Sequence, residues 1–97
     1  MIRHTVLFKW TEQATEEQQQ EAHDQLAKLP ALVPSVREFA LGPDAGLNQG
    51  NFDFAVTADF DDEAGYLAYR DNPAHRDIVT RWIQPILGQR AAIQFQY

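Results

Sequence analysis

Residues 2 to 10 alternate without a break. Ile2, His4, Val6, Phe8 and Trp10 fall on one side of an extended chain, and Arg3, Thr5, Leu7 and Lys9 on the other. A period of two held over nine residues specifies a strand with one face on a core. That strand needs partners, and the sequence supplies three more. One spans roughly Val36 to Leu41, with Val36, Glu38 and Ala40 on one side and Arg37, Phe39 and Leu41 on the other. The next is Phe52 to Phe60, in which Phe52, Phe54, Val56, Ala58 and Phe60 alternate with Asp53, Ala55, Thr57 and Asp59. The last is Ala91 to Tyr97, with Ala91, Ile93, Phe95 and Tyr97 set against Ala92, Gln94 and Gln96.

Helical patterns separate these strands. Thr15-Glu16-Glu17-Gln18 has the capping-box form, with Thr15 as N-cap. Ala22, Leu26 and Leu29 then recur on one stripe. Pro30 is expected to end this helix at about Leu29. Asp61 or Asp62 caps a short helix with Ala64, Leu67 and Ala68 on its apolar side and Tyr66 and Tyr69 flanking. Asn72-Pro73 breaks it and starts another, from about Pro73 to Trp82 or Ile83, which buries Ile78, Val79, Trp82 and Ile83 before Pro85 and Gly88 stop it. Gly42-Pro43-Asp44-Ala45-Gly46, with Asn48, Gly50 and Asn51, is the longest loop signal.

The order β-α-β-β-α-β is the ferredoxin-like split motif. It predicts an α+β fold, a four-stranded antiparallel sheet with helices on one face. At 97 residues this is a single domain, residues 1–97. The strand parities place Leu7, Phe39 and Leu41 together on the sheet face opposite the helices. An apolar patch there predicts a homodimer through that face.

Charge narrows the function. Fourteen acidic against eight basic residues give −6, which argues against nucleic acid and against an anionic membrane surface. No cysteine is present, so thiolate chemistry and disulfides are excluded. No secretory pattern opens the chain and no segment approaches a membrane span, so a cytoplasmic protein is expected. His4, His23 and His75 have no ligand spacing, and neither a phosphate loop nor a nucleophile elbow occurs; no metal or cofactor is expected.

The chemistry concentrates at Tyr69 to Arg76. Asn72 can cap the new helix and Pro73 suits its first position. His75 then sits in the first turn, where the helix dipole disfavours imidazolium. A neutral imidazole beside the Tyr69 phenol could perform acid–base work on a small molecule. His75 could equally be a helix-start residue bonded to a carbonyl, and Tyr69 a buried aromatic, with Tyr66 competing for its place. His4 either ties its strand to a neighbour or lines the same hollow. His23 has solvated flanks and no role. Phe8, Phe54 and Trp82 read first as core, with a second part as walls of an apolar site.

Taken together, these segments resemble the stress-responsive α/β-barrel domain family, Dabb, over nearly the whole chain. The resemblance rests on Ile2 to Trp10 with its histidine; Leu29 through Val36 followed by Gly42; Phe52-Asp53-Phe54-Ala55-Val56 through Phe60; the Tyr…Pro-x-His pattern within Tyr66 to His75; and Gln94-Phe95-Gln96-Tyr97. It implies a dimeric α/β barrel, in a family many of whose members are known only from stress responses. One plant member type, olivetolic acid cyclase, closes a linear polyketide with a Tyr–His pair. By that resemblance the catalytic pair is His75 and Tyr69, with His4 in the pocket. A further pocket histidine of that cyclase falls at Phe54, which makes this pocket more apolar. The function expected is a cofactor-independent cyclase or lyase acting on a carbonyl compound. The alternatives are a non-catalytic ligand-binding or stress-response protein, taking a small apolar or phenolic ligand, and a cofactor-free monooxygenase of the same fold.

Overall fold

A computed structural model describes all 97 residues. Strand β1 (Ile2–Trp10) leads through a turn to helix α1 (Glu16–Leu26). There the capping box is complete: Thr15 Oγ1 accepts from the Gln18 amide and Gln18 Oε1 from the Thr15 amide. Pro30 does not terminate this helix. The break comes earlier, at Ala27–Lys28, and Pro30 occupies the second position of a separate short helix, α2 (Leu29–Leu32), where its missing N–H leaves no partner wanting.

Strands β2 (Glu38–Pro43) and β3 (Phe54–Phe60) each start two residues later than the sequence suggests. Helix α3 (Glu63–Asp71) is capped by Asp62, whose carboxylate accepts from the Gly65 amide. It turns Tyr66 and Tyr69 inward and leaves Ala64, Leu67 and Ala68 exposed, the reverse of the expected sides. Gly65 explains the choice. A Cβ there would stand 3.3 Å from Phe60 Cβ, so the helix approaches β3 along its glycine edge. Ser35 Oγ holds that edge by donating to the Gly65 carbonyl at 2.8 Å. Helix α4 (Pro73–Ile78) runs into a π-helical turn (Val79–Ile83), a 3₁₀ turn (Gln84–Ile86) and strand β4 (Leu87–Gln96).

The strands form one antiparallel sheet in the order β2-β3-β1-β4, with the helices on one face. The core lies between the layers, around Phe60, Leu29, Ile83, Val33 and Val56. This is the expected ferredoxin-like fold. No helix is long and apolar enough to cross a membrane.

The two outer strands have the opposite sidedness from the sequence expectation. In β2, Phe39 pairs with Ala58 and Leu41 with Val56, so both point to the core and pack against it. The phase was set by Val36, which lies before the strand and reaches the core independently. In β4 the register against β1 shifts between Lys9 and Trp10: Trp10 faces Leu87, but Lys9 faces Gln89. Gly88 is the extra residue, and a Cβ there would meet Lys9 O at 3.1 Å and Trp10 O at 3.2 Å. The bulge inverts the alternation beyond it. Ala91, Ile93 and Phe95 therefore pair with Leu7, Thr5 and Arg3 on the helix-free face. The free face thus carries an apolar patch, as expected, but through Leu7, Ile93 and Phe95 rather than Leu7, Phe39 and Leu41. Ile93 and Phe95 are 60% and 42% exposed.

One polar group on that face is buried. Asp59 is 2% exposed and accepts from Arg3 through two bonds of 2.8 Å and from the Tyr97 hydroxyl at 2.6 Å. Arg3 in turn lies 4.9 Å over the Tyr97 ring. The Arg3 guanidinium, aided by the Tyr97 hydroxyl, holds the Asp59 carboxyl down to about 2. Its stabilisation is whole above the unfolded value of roughly 4 and is lost as pH falls through about 2. Asp59→Asn is expected to lower Tm by roughly 4–8 °C at neutral pH. In thermal scans the variant and the parent should converge as pH falls through that window; a gap that stays constant with pH would contradict this account.

Candidate functional site

The site begins with the break between α3 and α4. Asn72 closes one helix and opens the next: its backbone is extended, at φ −61° and ψ 128°, and its Oδ1 accepts from the Ala74 amide at 2.8 Å. Pro73 takes the first helical position. The bend folds His75 back over Tyr69, with ring centroids 4.3 Å apart and planes inclined by 34°. Tyr69 stands 6.0 Å from the His4 ring and Tyr66 stands 5.1 Å from it. His4, Tyr66, Tyr69 and His75 therefore converge, from one strand and two helices.

They line a cavity of about 230 Å³ between the helical layer and strands β1 and β4. Phe8, Val6, Val56, Leu26, Val79 and Ile83 form its apolar walls, and Arg70, Gln84 and Arg90 reach it as well. The volume is just below the usual range for drug-sized ligands, which suits a single ring or a short chain. A larger but more open hollow, of about 420 Å³, lies under the loop near Asp44 and Asn51, with Asp44 as its only titratable side chain.

The two imidazoles are held in different tautomers. His75 Nδ1 lies 3.2 Å from the Arg70 carbonyl, and a carbonyl only accepts, so Nδ1 carries the proton and Nε2 is the basic nitrogen. His4 Nδ1 lies 2.8 Å from the Gln94 amide nitrogen, and that nitrogen only donates, so the His4 proton sits on Nε2. Burial lowers the His4 pKa to about 4, helped by the Arg90 charge and by His75. Burial also lowers His75, with Arg76 and Arg90 acting in the same direction and the Arg70 carbonyl opposing. Both rings are thus neutral at pH 7. The neutrality of His75 that the helix dipole suggested has burial as its main cause.

Tyr69 is 2% exposed, and burial raises its phenol above the ordinary value, so it remains an O–H. The hydroxyl makes no hydrogen bond within the chain, while no fully buried side-chain oxygen or nitrogen lacks a partner. It therefore touches accessible space, which at this position is the cavity. A neutral base and an uncommitted phenol donor lie side by side.

Of the expected site residues, His4, Phe8, Tyr66, Tyr69 and His75 meet at the cavity, whereas Phe54 and Trp82 do not. Phe54 sits on the core face one strand further from β4, against Trp10 and His23 under α1. Trp82 turns onto a surface groove beside Glu17 and Glu21. The π-helical turn, Gln94 and Arg90 were missed. Gly88, an isolated glycine entering a strand, was the available signal for the bulge that places the last two. No three His, Cys, Asp or Glu side chains cluster as metal ligands anywhere in the fold.

The family model of the stress-responsive A/B barrel domain, Dabb, matches residues 2–97. No curated protein matches the sequence. Among solved structures, a dimeric ferredoxin-like protein of unknown function from Thermobifida fusca is 45% identical, with a TM-score of 0.91 over 99% of this chain and 90% of that one. A Dabb family protein from Mesorhizobium loti is 22% identical, with a TM-score of 0.83 over 99% and 95%. A hydroxynitrile lyase from Passiflora edulis is 18% identical, with a TM-score of 0.84 over 97% and 90%; at that identity the likeness is one of fold.

Nitrogen-15 shifts test the site directly. His75 should report protonated Nδ1 and His4 protonated Nε2, with His4 neutral down to about pH 4. Identical tautomers, or a His4 titration at the ordinary value near 6.5, would contradict the geometry.

Proposed function

The chain belongs to the stress-responsive A/B barrel domain family, and on that premise we propose that it is a cofactor-independent lyase or cyclase acting on a small carbonyl compound. The observation that carries this reading is the pairing of His75 with Tyr69 at the cavity, ring centroids 4.3 Å apart, one neutral and basic and the other an unbonded donor. His75 Nε2 takes a proton from the carbon next to the carbonyl. The Tyr69 hydroxyl donates to the enolate oxygen as its charge develops. The resulting carbon nucleophile attacks a second carbonyl in a cyclase, or the electron pair expels a leaving group in a lyase. His4, fixed by Gln94, orients the substrate with its Nε2–H. Polyketide-like chains belong in the substrate screen, and so do hydroxynitriles. For these, His75 Nε2 takes the hydroxyl proton as the carbon–cyanide bond breaks, leaving a carbonyl compound and cyanide.

A non-catalytic ligand-binding protein is the second reading, favoured by the mutual packing of His4, Tyr66, Tyr69 and His75. Product analysis after incubation with the screen separates the two. His75→Ala should reduce turnover by roughly 10²–10⁴ and Tyr69→Phe by roughly 10²–10³, with both proteins folded by circular dichroism. Because burial lowers the His75 pKa, the neutral base is lost only as pH falls below the ordinary imidazole value of about 6.5. The acid limb of the rate profile should lie below that value. Undiminished turnover in His75→Ala would refute the enzyme reading.

The Thermobifida fusca relative is described as dimeric, and we propose the same assembly here, through the helix-free face. Leu7, Ile93 and Phe95 form its apolar part, beside Ala40, Ala55 and Ala91. Sedimentation should give a dimer for the parent and a monomer for Ile93→Glu; a monomeric parent would refute this.

A further inference from the structure

Arg90 is the cavity's unassigned charge. The Gly88 bulge is what brings it there. Without the extra residue, β4 would keep the parity of Leu87 and turn residue 90 onto the helix-free face. With it, Arg90 pairs with Phe8 and takes the helix side, where it lines the cavity with His4, His75 and Leu87. A glycine suits this point, because a Cβ at residue 88 would crowd the Lys9 and Trp10 carbonyls at 3.1 and 3.2 Å.

Three observations define what this guanidinium is for. First, it has no partner: Arg3, Arg37, Arg70 and Arg81 each pair with an aspartate, whereas Arg76, which does not line the cavity, and Arg90, which does, make no ion pair. Second, the chain carries fourteen acidic residues, yet none of them lines this cavity. Third, the other polar groups at the cavity carry no negative charge. His4 and His75 are neutral, the Tyr69 phenol is protonated, and Arg70 is occupied by Asp71. An acidic protein has kept one small apolar hollow free of carboxylates and set an unneutralised cation on its rim.

We propose that the ligand of this cavity is a small apolar acid, whose carboxylate is met by Arg90 while its apolar part lies against Phe8, Val6 and Val79. The inference rests on the cavity being the functional site and deepens that reading by giving the substrate class. Arg90 is a specificity-determining residue: it selects the anion and fixes the end of the molecule that faces outward. The carbonyl end is thereby directed inward, to Tyr69 and His75. A bidentate guanidinium–carboxylate pair has the strength and the directional preference for this task.

The test uses a matched pair of probes, 4-hydroxyphenylacetate and its amide, which have the same shape and differ by one charge. Calorimetric titration of the full chain should show the acid binding roughly tenfold more tightly than the amide. The gap should close in Arg90→Gln, persist in reduced form in Arg90→Lys, and narrow as sodium chloride is raised. Arg90 is exposed, so both variants should melt with the parent. Equal affinity for acid and amide in the parent, or an unchanged gap in Arg90→Gln, would overturn the role of Arg90 and leave the cavity as a ligand site. Binding of neither probe would overturn the proposal together with the reading on which it stands.

Discussion

One hydrogen bond organises the candidate site: the Asn72 side chain accepting from the Ala74 amide at 2.8 Å. A continuous helix through this region would carry Tyr69 and His75 six residues apart, on different parts of its surface. The cap halts one helix and restarts another at an angle, with Pro73 preventing the first from running through. Only then does the His75 ring settle on Tyr69 with its Nδ1–H on the Arg70 carbonyl, the last turn of the helix it has left. That single bond sets the tautomer and so leaves Nε2 as the basic nitrogen. Chain reversal, ring position and proton position follow from one local choice. An N-cap of this kind is worth about 1 kcal/mol, a small stabilisation with a large geometric consequence.

The sheet divides the remaining work between its faces. On the helix side, strand β1 supplies His4 and Phe8 to the cavity, and its neighbour β4 supplies Arg90 and, behind the cavity, the Gln94 amide that holds His4. On the other side, the same two strands present Leu7, Ile93 and Phe95. The Gly88 bulge controls both, because it decides the face taken by every later residue of β4. A one-residue insertion thus places Arg90 at the cavity, Gln94 against His4, and the apolar surface on the opposite face together. The Asp59 cluster anchors the end of β4 to β1 and β3 through Arg3 and Tyr97, which keeps this edge strand in register.

Sequence alone carried the fold a long way, for identifiable reasons. The nine-residue alternation in β1, the Thr15 capping box and the Asn72-Pro73 restart are local signals whose physics is complete within a few residues, and each appears where expected. The convergence of His4, Tyr69 and His75 did not follow from those signals, which left His4 either tying its strand to a neighbour or lining the hollow; it depends on how the helices pack on the sheet. Sidedness at the sheet edges did not follow. Phe39 and Leu41 belong to a short strand that can be counted in either phase, and Val36 suggested the wrong one. In β4 the count was broken by a bulge whose cause, the carbonyls of Lys9 and Trp10, lies nearly eighty residues away in the chain. In α3 the choice between Leu67 and Tyr69 as the inner side was made by Gly65 against Phe60, a contact that periodicity does not contain.

The dependence on the Asn72 cap can be measured in isolation. Proton NOEs between the Tyr69 and His75 rings, whose centroids are 4.3 Å apart, should be strong in the parent protein. In Asn72→Ala they should weaken sharply while the amide pattern of the sheet stays intact, and the His75 titration should move back toward its ordinary value. Ring NOEs and a His75 titration unchanged by that substitution would contradict the account, because packing alone would then be holding the pair.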